Sequence, residues 1–169
     1  MAVTPSQKTS LNKFFKNLNA VLTEAITPKE VLPTAEYAIS LIVKRTRLGY
    51  GVNVQFGSKQ KLKKLSDGYI KRRARAKNLF ELTSPKTSNL TMTGQMLESM
   101  RVLDRVNGKV SIGPTGARGN KQPSNAKVAA YQEKQGRIFN RVSQLEYQQV
   151  LRFYRRSFGD LLRRKRLLQ

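Results

Sequence analysis

Hydrophobic side chains recur at helical spacing near the amino-terminal end of the chain. Between residues 10 and 26 the apolar positions repeat at three- and four-residue steps, which places them on one face of a helix. These positions are Leu11, Phe14, Phe15, Leu18, Val21, Leu22 and Ala25. The pattern predicts a first amphipathic helix.

A second helix is predicted directly after the first. Thr27-Pro28-Lys29-Glu30 has the pattern of a capping box with proline at the first helical position, and apolar residues follow at helical steps as far as Ile42. Pro33 lies inside this pattern, so we expect a break there, with the helix restarting at Thr34 and ending near Gly49.

The pattern changes between residues 49 and 65. Three glycines, Gly49, Gly51 and Gly57, are followed by lysines at positions 59, 61, 63 and 64. We interpret this stretch as a long loop or arm, of the kind that becomes ordered on a partner.

A third predicted helix runs from its capping Ser66 to Phe80 and carries few apolar residues. One side of it is almost entirely cationic, through Lys71, Arg72, Arg73, Arg75 and Lys77. This side either lines a groove for nucleic acid or is simply a solvated face, and the sequence leaves both readings open.

The clearest β signal surrounds Asn107-Gly108, the dipeptide best suited to a type I′ turn. Residues 101–106 and 109–113 are the two predicted strands of this hairpin. A polar link at 84–89 and a short helix carrying Met96, Leu97 and Met100 precede it. Residues 113–124, rich in glycine and cations, are predicted to form a basic loop that leads into a helix from Ser124 to Gln135.

The last predicted helix starts near Ser143 and is amphipathic and cationic. Its arginines lie mostly off the apolar stripe, and Gly159 is expected to bend it or end it early. The stripe comprises Tyr147, Val150, Leu151, Tyr154, Phe158, Leu161 and Leu162.

A length of 169 residues predicts a single domain. Within it we expect a helical arm over 1–29, a core over 30–158 and a basic tail over 159–169.

The charge of the chain is its most unusual property. Thirty-three Lys and Arg face ten Asp and Glu, which gives a formal net charge of +23. Such charge repels itself, so an anionic partner is expected, either the phosphates of nucleic acid or an acidic protein ring. Simple solubility is the alternative explanation.

The composition argues against catalysis. The chain has no Cys and no His, which excludes thiol nucleophiles, imidazole metal sites and His-based triads. Its carboxylates occur singly on different predicted elements, so we expect no enzyme, no cofactor and no metal. No apolar run approaches the roughly 20 residues that span a bilayer, and we expect no membrane partner.

The loop between Gly113 and Lys121 lacks the Gly-Lys-Ser/Thr ending of a phosphate cradle. Arg118 and Lys121 remain candidates for contact with phosphates or a neighbouring subunit. No base-reading element is apparent, so contacts with nucleic acid should be made to its backbone.

Two segments resemble the neck and tail-completion proteins of tailed bacteriophages, in the virion morphogenesis group. They are Leu-Ser-Asp-Gly-Tyr-Ile-Lys-Arg-Arg at 65–73 and Thr-Ser-Pro-Lys-Thr-Ser-Asn-Leu-Thr-Met-Thr-Gly-Gln-Met-Leu-Glu-Ser-Met at 83–100. In that group a Leu-Thr-x-Thr-Gly-x-Leu-like helix start precedes a hairpin ending in Ile-Gly, a Tyr-x-x-x-x-Gly stretch and an Arg-x-Phe segment. The matching parts here are residues 90–97, 109–113, 131–136 and 137–139.

The resemblance covers roughly residues 30 to 158, and the Arg-x-Phe segment here lacks the usual Pro-Ala-Arg-Pro-Phe character. It implies an α+β subunit, a small twisted antiparallel sheet with packed helices, long loops and a basic amphipathic helix at the carboxy terminus. The subunit is expected to form a homo-oligomeric ring of six or twelve copies in the virion neck, between portal or adaptor and tail proteins, with genomic DNA passing through its lumen. The group has no catalytic residues to carry over.

Two sets of contact residues are expected in such a ring. Candidates for contact with DNA or an acidic partner are Lys71, Arg72, Arg73, Arg75, Lys77, Arg118 and Lys121. Candidates for contact between adjacent rings are Tyr50, Val52, Phe56, Lys59 and Lys61. A sequence-nonspecific nucleic-acid-binding protein is the alternative function, since it also accounts for the charge.

Overall fold

The structure is a computed structural model that describes residues 5–53, 55, 57–75, 95–106, 109–118, 122–165 and 167. This part of the chain folds into six helices and two antiparallel hairpins, which confirms the α+β class. The elements are α1 (Pro5–Ala25), α2 (Pro28–Arg47), β1 (Tyr50–Val52), β2 (Lys59–Lys61), α3 (Asp67–Arg75), α4 (Gln95–Glu98), β3 (Met100–Val106), β4 (Lys109–Pro114), α5 (Asn125–Lys134) and α6 (Gln144–Arg164).

One apolar cluster joins the first and last helices. Val21 and Ala25 of α1 pack against Leu161 of α6, and Phe158 and Leu162 extend the contact. Among the α1 side chains that the structure describes, residues 13–17, 19 and 20 are exposed, so the contact with the core is made near the carboxy-terminal end of the helix. The aromatic rings of Tyr37 and Phe153 stack between α2 and α6, with centroids 4.8 Å apart.

The second apolar cluster surrounds Phe139, which is fully buried. Met96 and Leu97 of α4 and Ala129 of α5 complete it, and Val43 of α2 packs against it. This cluster joins the middle of the chain to α2.

The strands form two separate hairpins in place of one sheet. β3 pairs with β4 as predicted, and the pairing of Val106 with Lys109 leaves two residues for the connection. Those two residues, Asn107 and Gly108, lie outside the described residues. The register shifts between Val102 and Asp104, so the strand is irregular at Leu103.

The prediction of a long loop over 49–65 is wrong, because β1 and β2 form a short hairpin there. Gly51 makes it possible: a Cβ at this position would lie 2.3 Å from the Ile138 carbonyl oxygen. The neighbouring Val52 N–H donates to that same oxygen at 2.8 Å. Strands of three residues carry too little alternation to be predicted from sequence.

The basic loop predicted over 113–124 begins two residues later, because β4 continues through Pro114. Asn125, which is buried at the start of α5, holds this loop. Its Nδ2 donates to the Thr115 carbonyl oxygen at 2.7 Å, and its backbone N–H donates to the Gly116 carbonyl oxygen.

The predicted break at Pro33 is absent, because α2 is continuous. Thr34, Ala35, Ala38 and Ile42 are all buried on one side of α2, and this packing outweighs the lost hydrogen bond. Thr27 precedes the helix as predicted, but the capping box does not form, because its hydroxyl donates to the Glu24 carbonyl oxygen at 2.7 Å.

Gly159 does not end the last helix either. α6 continues to Arg164, so residues 159–164 of the predicted tail are helical, and Leu161 is buried against α1. Burial of a leucine contributes about 1.5–3 kcal/mol, which exceeds the cost of about 1 kcal/mol for a glycine inside a helix.

Candidate polyanion-binding surface

Exposed cations are concentrated on β2, on the segment after it and on α3. We call this set the β2–α3 basic surface; it comprises Lys59, Lys61, Lys63, Lys64, Lys71, Arg72 and Arg75. Within the described ranges, none of these side chains forms an ion pair with a carboxylate. Their charge therefore remains available to an external anion.

The backbone between β2 and α3 is held from both sides. Leu62 is buried, and its N–H donates to the Gly49 carbonyl oxygen at 2.9 Å. The Arg137 guanidinium donates to the carbonyl oxygens of Lys63 and Lys64 at 3.4 and 3.3 Å. These contacts fix the backbone while the two lysine side chains point outward.

Two candidates of the predicted DNA-contacting set, Arg73 and Lys77, lie partly or wholly outside the described residues. The backbone of Arg73 belongs to α3, but its side chain is outside the described residues, as is all of Lys77. Arg118 lies on a different loop, beside α4, where its Nε donates to Gln95 Oε1 at 3.5 Å. Lys121 is also outside the described residues.

The predicted candidates for contact between adjacent rings differ in how exposed their side chains are. Val52 is only 2% exposed and belongs to the core, so its side chain does not reach a neighbouring subunit. Tyr50 is half-buried beneath Lys59, whose ammonium lies 3.9 Å from the ring centroid in a cation–π contact. Lys61 is exposed, and Phe56 is outside the described residues.

A second cationic surface was not among the predicted sites. Arg152, Arg155 and Arg156 are exposed on one face of α6, and none has a carboxylate partner within the described part of the chain. We call it the α6 basic surface. Their spacing of three and four residues was the available signal, since it puts all three on the face opposite the apolar stripe.

The cations at the end of α6 differ, because each has an acidic partner. Arg163 pairs with Asp160 at 2.7 Å, and Lys165 pairs with Glu24 at 2.7 Å. Arg164 pairs with Glu30 of α2 at 3.2 Å. Acidic residues therefore neutralise the carboxy-terminal end of α6 and leave its middle uncompensated.

The buried ionisable pair Arg45 and Glu146 forms several hydrogen bonds within the fold. Arg45 donates to the Glu146 carboxylate and to the carbonyl oxygens of Phe139 and Arg141. The same carboxylate accepts from both the backbone N–H and the hydroxyl of Ser143, each at 2.8 Å. Burial lowers the pKa of Arg45, and the charge of Glu146 opposes that shift.

Across the described ranges, no group of three or more His, Cys, Asp or Glu side chains is placed to hold a metal ion. Among those same residues, no helix has the length and apolarity required to cross a membrane. Comparison of the chain with protein-family models, curated proteins and solved structures found no match.

Proposed function

We propose that this chain is a non-catalytic assembly subunit that binds a polyanion through backbone phosphates or an acidic collar. Its particular role is that of a neck or tail-completion protein of a tailed bacteriophage, a ring that joins portal-side and tail-side proteins around the DNA channel. The observation that carries the proposal is the pair of exposed cationic surfaces, on β2–α3 and on α6, whose side chains have no carboxylate partner within the described residues.

The described residues behind the phage resemblance support this role through their packing, whereas residues 76–94 lie outside the described residues. Leu97, from the Leu-Thr-x-Thr-Gly-x-Leu-like segment, packs in the cluster around Phe139 of the Arg-x-Phe segment. Gly113 of the Ile-Gly pair lies in β4, and Gly136 adopts a positive φ of 75° after α5. Leu97 and Phe139 thus bring parts of two motifs into one cluster.

The charge supports assembly around an anion. A ring multiplies the +23 of each chain, and only an anionic path or collar removes the resulting repulsion. Contacts with phosphates release counterions and need no base readout, which suits a channel through which any sequence must pass.

The direct test combines electron microscopy of the purified protein with mass spectrometry of the virus that encodes it. We expect rings of six or twelve copies, and the chain as a component of purified virions. Virions that assemble and infect normally without this chain would disprove the proposal.

A second experiment addresses the cations. A virus carrying Lys71→Glu, Arg72→Glu and Arg75→Glu together should produce heads and tails that fail to join or to retain DNA. The matched control carries Arg163→Glu, Arg164→Glu and Lys165→Glu, at cations that already have acidic partners. Normal particles from the first variant would remove the β2–α3 basic surface from the mechanism.

The alternative function is a sequence-nonspecific nucleic-acid-binding protein. It is favoured by the exposure of the β2–α3 cations in the single chain. Such a protein binds duplex DNA tightly as a monomer or dimer, with affinity that falls steeply as salt rises. A ring subunit binds DNA weakly until it assembles. Binding measured across protein concentrations that span assembly separates the two functions.

A further inference from the structure

The tip of the β1–β2 hairpin lies against the first turn of α6. The backbone N–H of Gln144 donates to the Gly57 carbonyl oxygen at 2.8 Å. A Cβ at Gly57 would lie 3.8 Å from the Cβ of Gln144, so the turn packs directly on the side of α6 that carries this glutamine. The hairpin that carries the β2 lysines therefore ends where the helix that carries the α6 basic surface begins.

The segment that leads into α6 follows the hairpin and carries a further cation. At its start the Ile138 carbonyl oxygen accepts from the Val52 N–H at 2.8 Å, and at its end Gln144 donates to Gly57. Arg141 lies midway along this segment. Its side chain is exposed and has no carboxylate partner within the described part of the chain. Arg141 thus stands between the two basic surfaces and belongs to neither of them.

An exposed ridge of α6 leads from the hairpin tip to the arginines. Gln144, Gln148, Arg152 and Arg155 follow one another at steps of four, four and three residues, so they lie along one side of the helix. All four side chains are exposed. At the rise of an α-helix, Arg152 is about 12 Å from Gln144 and Arg155 is about 17 Å from it. Glutamine amides donate to phosphate oxygens as arginines do, so the ridge presents donors along its whole length.

On the other side of the tip, β2 presents lysines at alternate positions. Lys59 and Lys61 are exposed on either side of Gln60, so both stand on the same face of the hairpin. Residues two apart on a strand are separated by about 6.6 Å. This distance is roughly twice the rise of about 3.4 Å at which phosphates follow one another on each strand of a duplex. The spacing of the lysines therefore suits a regular row of phosphates.

Acidic side chains are almost absent from this path. Residues 49–66 contain no Asp or Glu, and residues 134–159 contain only Glu146. That carboxylate is buried and paired with Arg45. From Lys61 to Arg155 the path measures roughly 30 Å along the chain, the length of about nine base pairs. A linear polymer with evenly spaced phosphates fits such a path better than the scattered carboxylates of an acidic protein.

We infer that the β2–α3 and α6 basic surfaces form one continuous track for the phosphate backbone of duplex DNA. The Gly57–Gln144 contact joins the two surfaces, and Arg141 supplies the cation at the junction. The inference rests on the proposed function, and it specifies the partner and the path that the partner follows. Two separate surfaces would each hold an anion of their own, whereas one track holds a single duplex with both.

Binding of a labelled duplex longer than the track tests this inference on the full chain. The hairpin variant carries Lys59→Gln and Lys61→Gln, and the helix variant carries Arg152→Gln and Arg155→Gln. The junction variant carries Arg141→Gln. Fluorescence anisotropy over a range of salt concentrations gives the slope of log affinity against log salt, at protein concentrations that span assembly. Circular dichroism and light scattering check that each variant keeps the fold and mass of wild type.

On a single track, every variant removes contacts from the same binding event. We expect the slope to fall by up to about 1.8 in the hairpin and helix variants and by up to about 0.9 in the junction variant, at about 0.9 per lost phosphate contact. The reductions should add when the hairpin and helix variants are combined.

Two controls accompany these variants. Arg163→Gln, at an exposed α6 arginine that already pairs with Asp160 at 2.7 Å, should leave the slope near that of wild type. Arg141→Lys keeps the charge at the junction and should bind as wild type does. Arg141 contacts Arg45 only through its backbone carbonyl oxygen, so neither substitution at position 141 removes that hydrogen bond.

A wild-type slope in the hairpin, helix or junction variant would overturn the inference, because the remaining cations would then hold the duplex without the removed ones. A wild-type chain that binds no duplex at low salt would overturn it too, and would leave an acidic protein as the partner. Virion incorporation is measured separately. A chain present in virions whose variants bind DNA as wild type does would keep the ring role and lose the track. A chain absent from virions that shows the expected slopes would keep the track and lose the phage role.

Discussion

The guanidinium of Arg45 and the carboxylate of Glu146 form a buried ion pair between helices α2 and α6, across 101 residues of sequence. Both partners have further hydrogen bonds, to carbonyl oxygens for Arg45 and to Ser143 for Glu146. The pair thereby joins α2 to the carbonyl oxygens of Phe139 and Arg141 and to the start of α6. It thereby holds the backbone of Phe139, the fully buried residue of the second apolar cluster.

Removing one partner of this pair should be far more costly than removing both. Arg45→Met leaves a buried carboxylate without its cation, so we expect a loss of about 3–5 kcal/mol in the free energy of unfolding. Arg45→Met combined with Glu146→Leu should recover much of that loss. Urea denaturation of Arg45→Met, Glu146→Leu and the double variant measures the coupling free energy between the two residues.

The exposed pair of Arg47 and Glu98, at 3.6 Å, is the control for this cycle. Arg47→Met should change the free energy of unfolding by no more than about 1 kcal/mol. Equal losses at positions 45 and 47 would contradict the central role of the buried pair.

Gly51 should tolerate no side chain. In Gly51→Ala the new methyl group meets the Ile138 carbonyl oxygen and Leu62 Cδ2, so the β1–β2 hairpin must move away from the Phe139 segment. We expect a loss of about 1–3 kcal/mol in the free energy of unfolding, measured by thermal or urea denaturation.

Gly68→Ala is the matched control, because nothing lies within 4 Å of a Cβ at that position in α3. It should be neutral or stabilising by up to about 1 kcal/mol, since alanine favours a helix. A Gly51→Ala protein as stable as wild type would mean that the hairpin does not pack closely on Ile138.

The contact between Glu24 and Lys165 should make stability depend on pH in the acid range. The hydrogen bond from the Lys165 ammonium lowers the pKa of Glu24 below its ordinary value of 4.5. Glu24 therefore binds protons more weakly in the folded chain, and it contributes stability above pH 4.5 that is lost as the pH falls through the folded pKa.

Glu24→Gln should flatten the dependence of the unfolding free energy on pH below 4.5, and the difference from wild type should shrink in high salt because the pair is exposed. Denaturation from about pH 3 to about pH 7, on both sides of the ordinary pKa of 4.5, measures both effects at two ionic strengths. Unchanged pH dependence in the variant would show that the contact does not persist in solution.

Cations without acidic partners should dominate binding to DNA. Lys71→Gln, Arg72→Gln and Arg75→Gln together should lower the slope of log affinity against log salt by up to about 2.7, at about 0.9 per lost phosphate contact. Fluorescence anisotropy with a labelled duplex measures the slope. The control variant carries Arg163→Gln, Arg164→Gln and Lys165→Gln and should change the slope little, because those cations already pair with carboxylates. Equal changes in the two variants would contradict the distinction.

Helix positions were largely predictable because they depend on local spacing. Each signal lies within a short stretch of the chain. The signals are the apolar steps of α1 and α6, the capping Ser124 and Ser143, and the strands on both sides of Asn107-Gly108. The β1–β2 hairpin was missed because it depends on Ile138, almost ninety residues away, whose carbonyl oxygen accepts from Val52.

The same division applies to the candidate surface. Counting Lys and Arg identified the α3 cations, and helical spacing would also have shown Arg155 and Arg156. It could not show that Arg164 is neutralised, because Glu30 comes from the other end of the chain, whereas Arg163 pairs with Asp160 only three residues away.

The sequence by itself determined the α+β composition, the helices with their amphipathic faces, and an excess of cations too large for the chain to neutralise internally. The tertiary structure decided which cations remain unpaired, and it kept α2 and α6 continuous through Pro33 and Gly159. It also buried Val52 and brought the hairpin tip at Gly57 against the start of α6. The physical reason is that helix propensity depends on neighbouring residues, and net charge depends on composition alone. Burial and ion pairing depend on distances between residues that only the packed chain brings together.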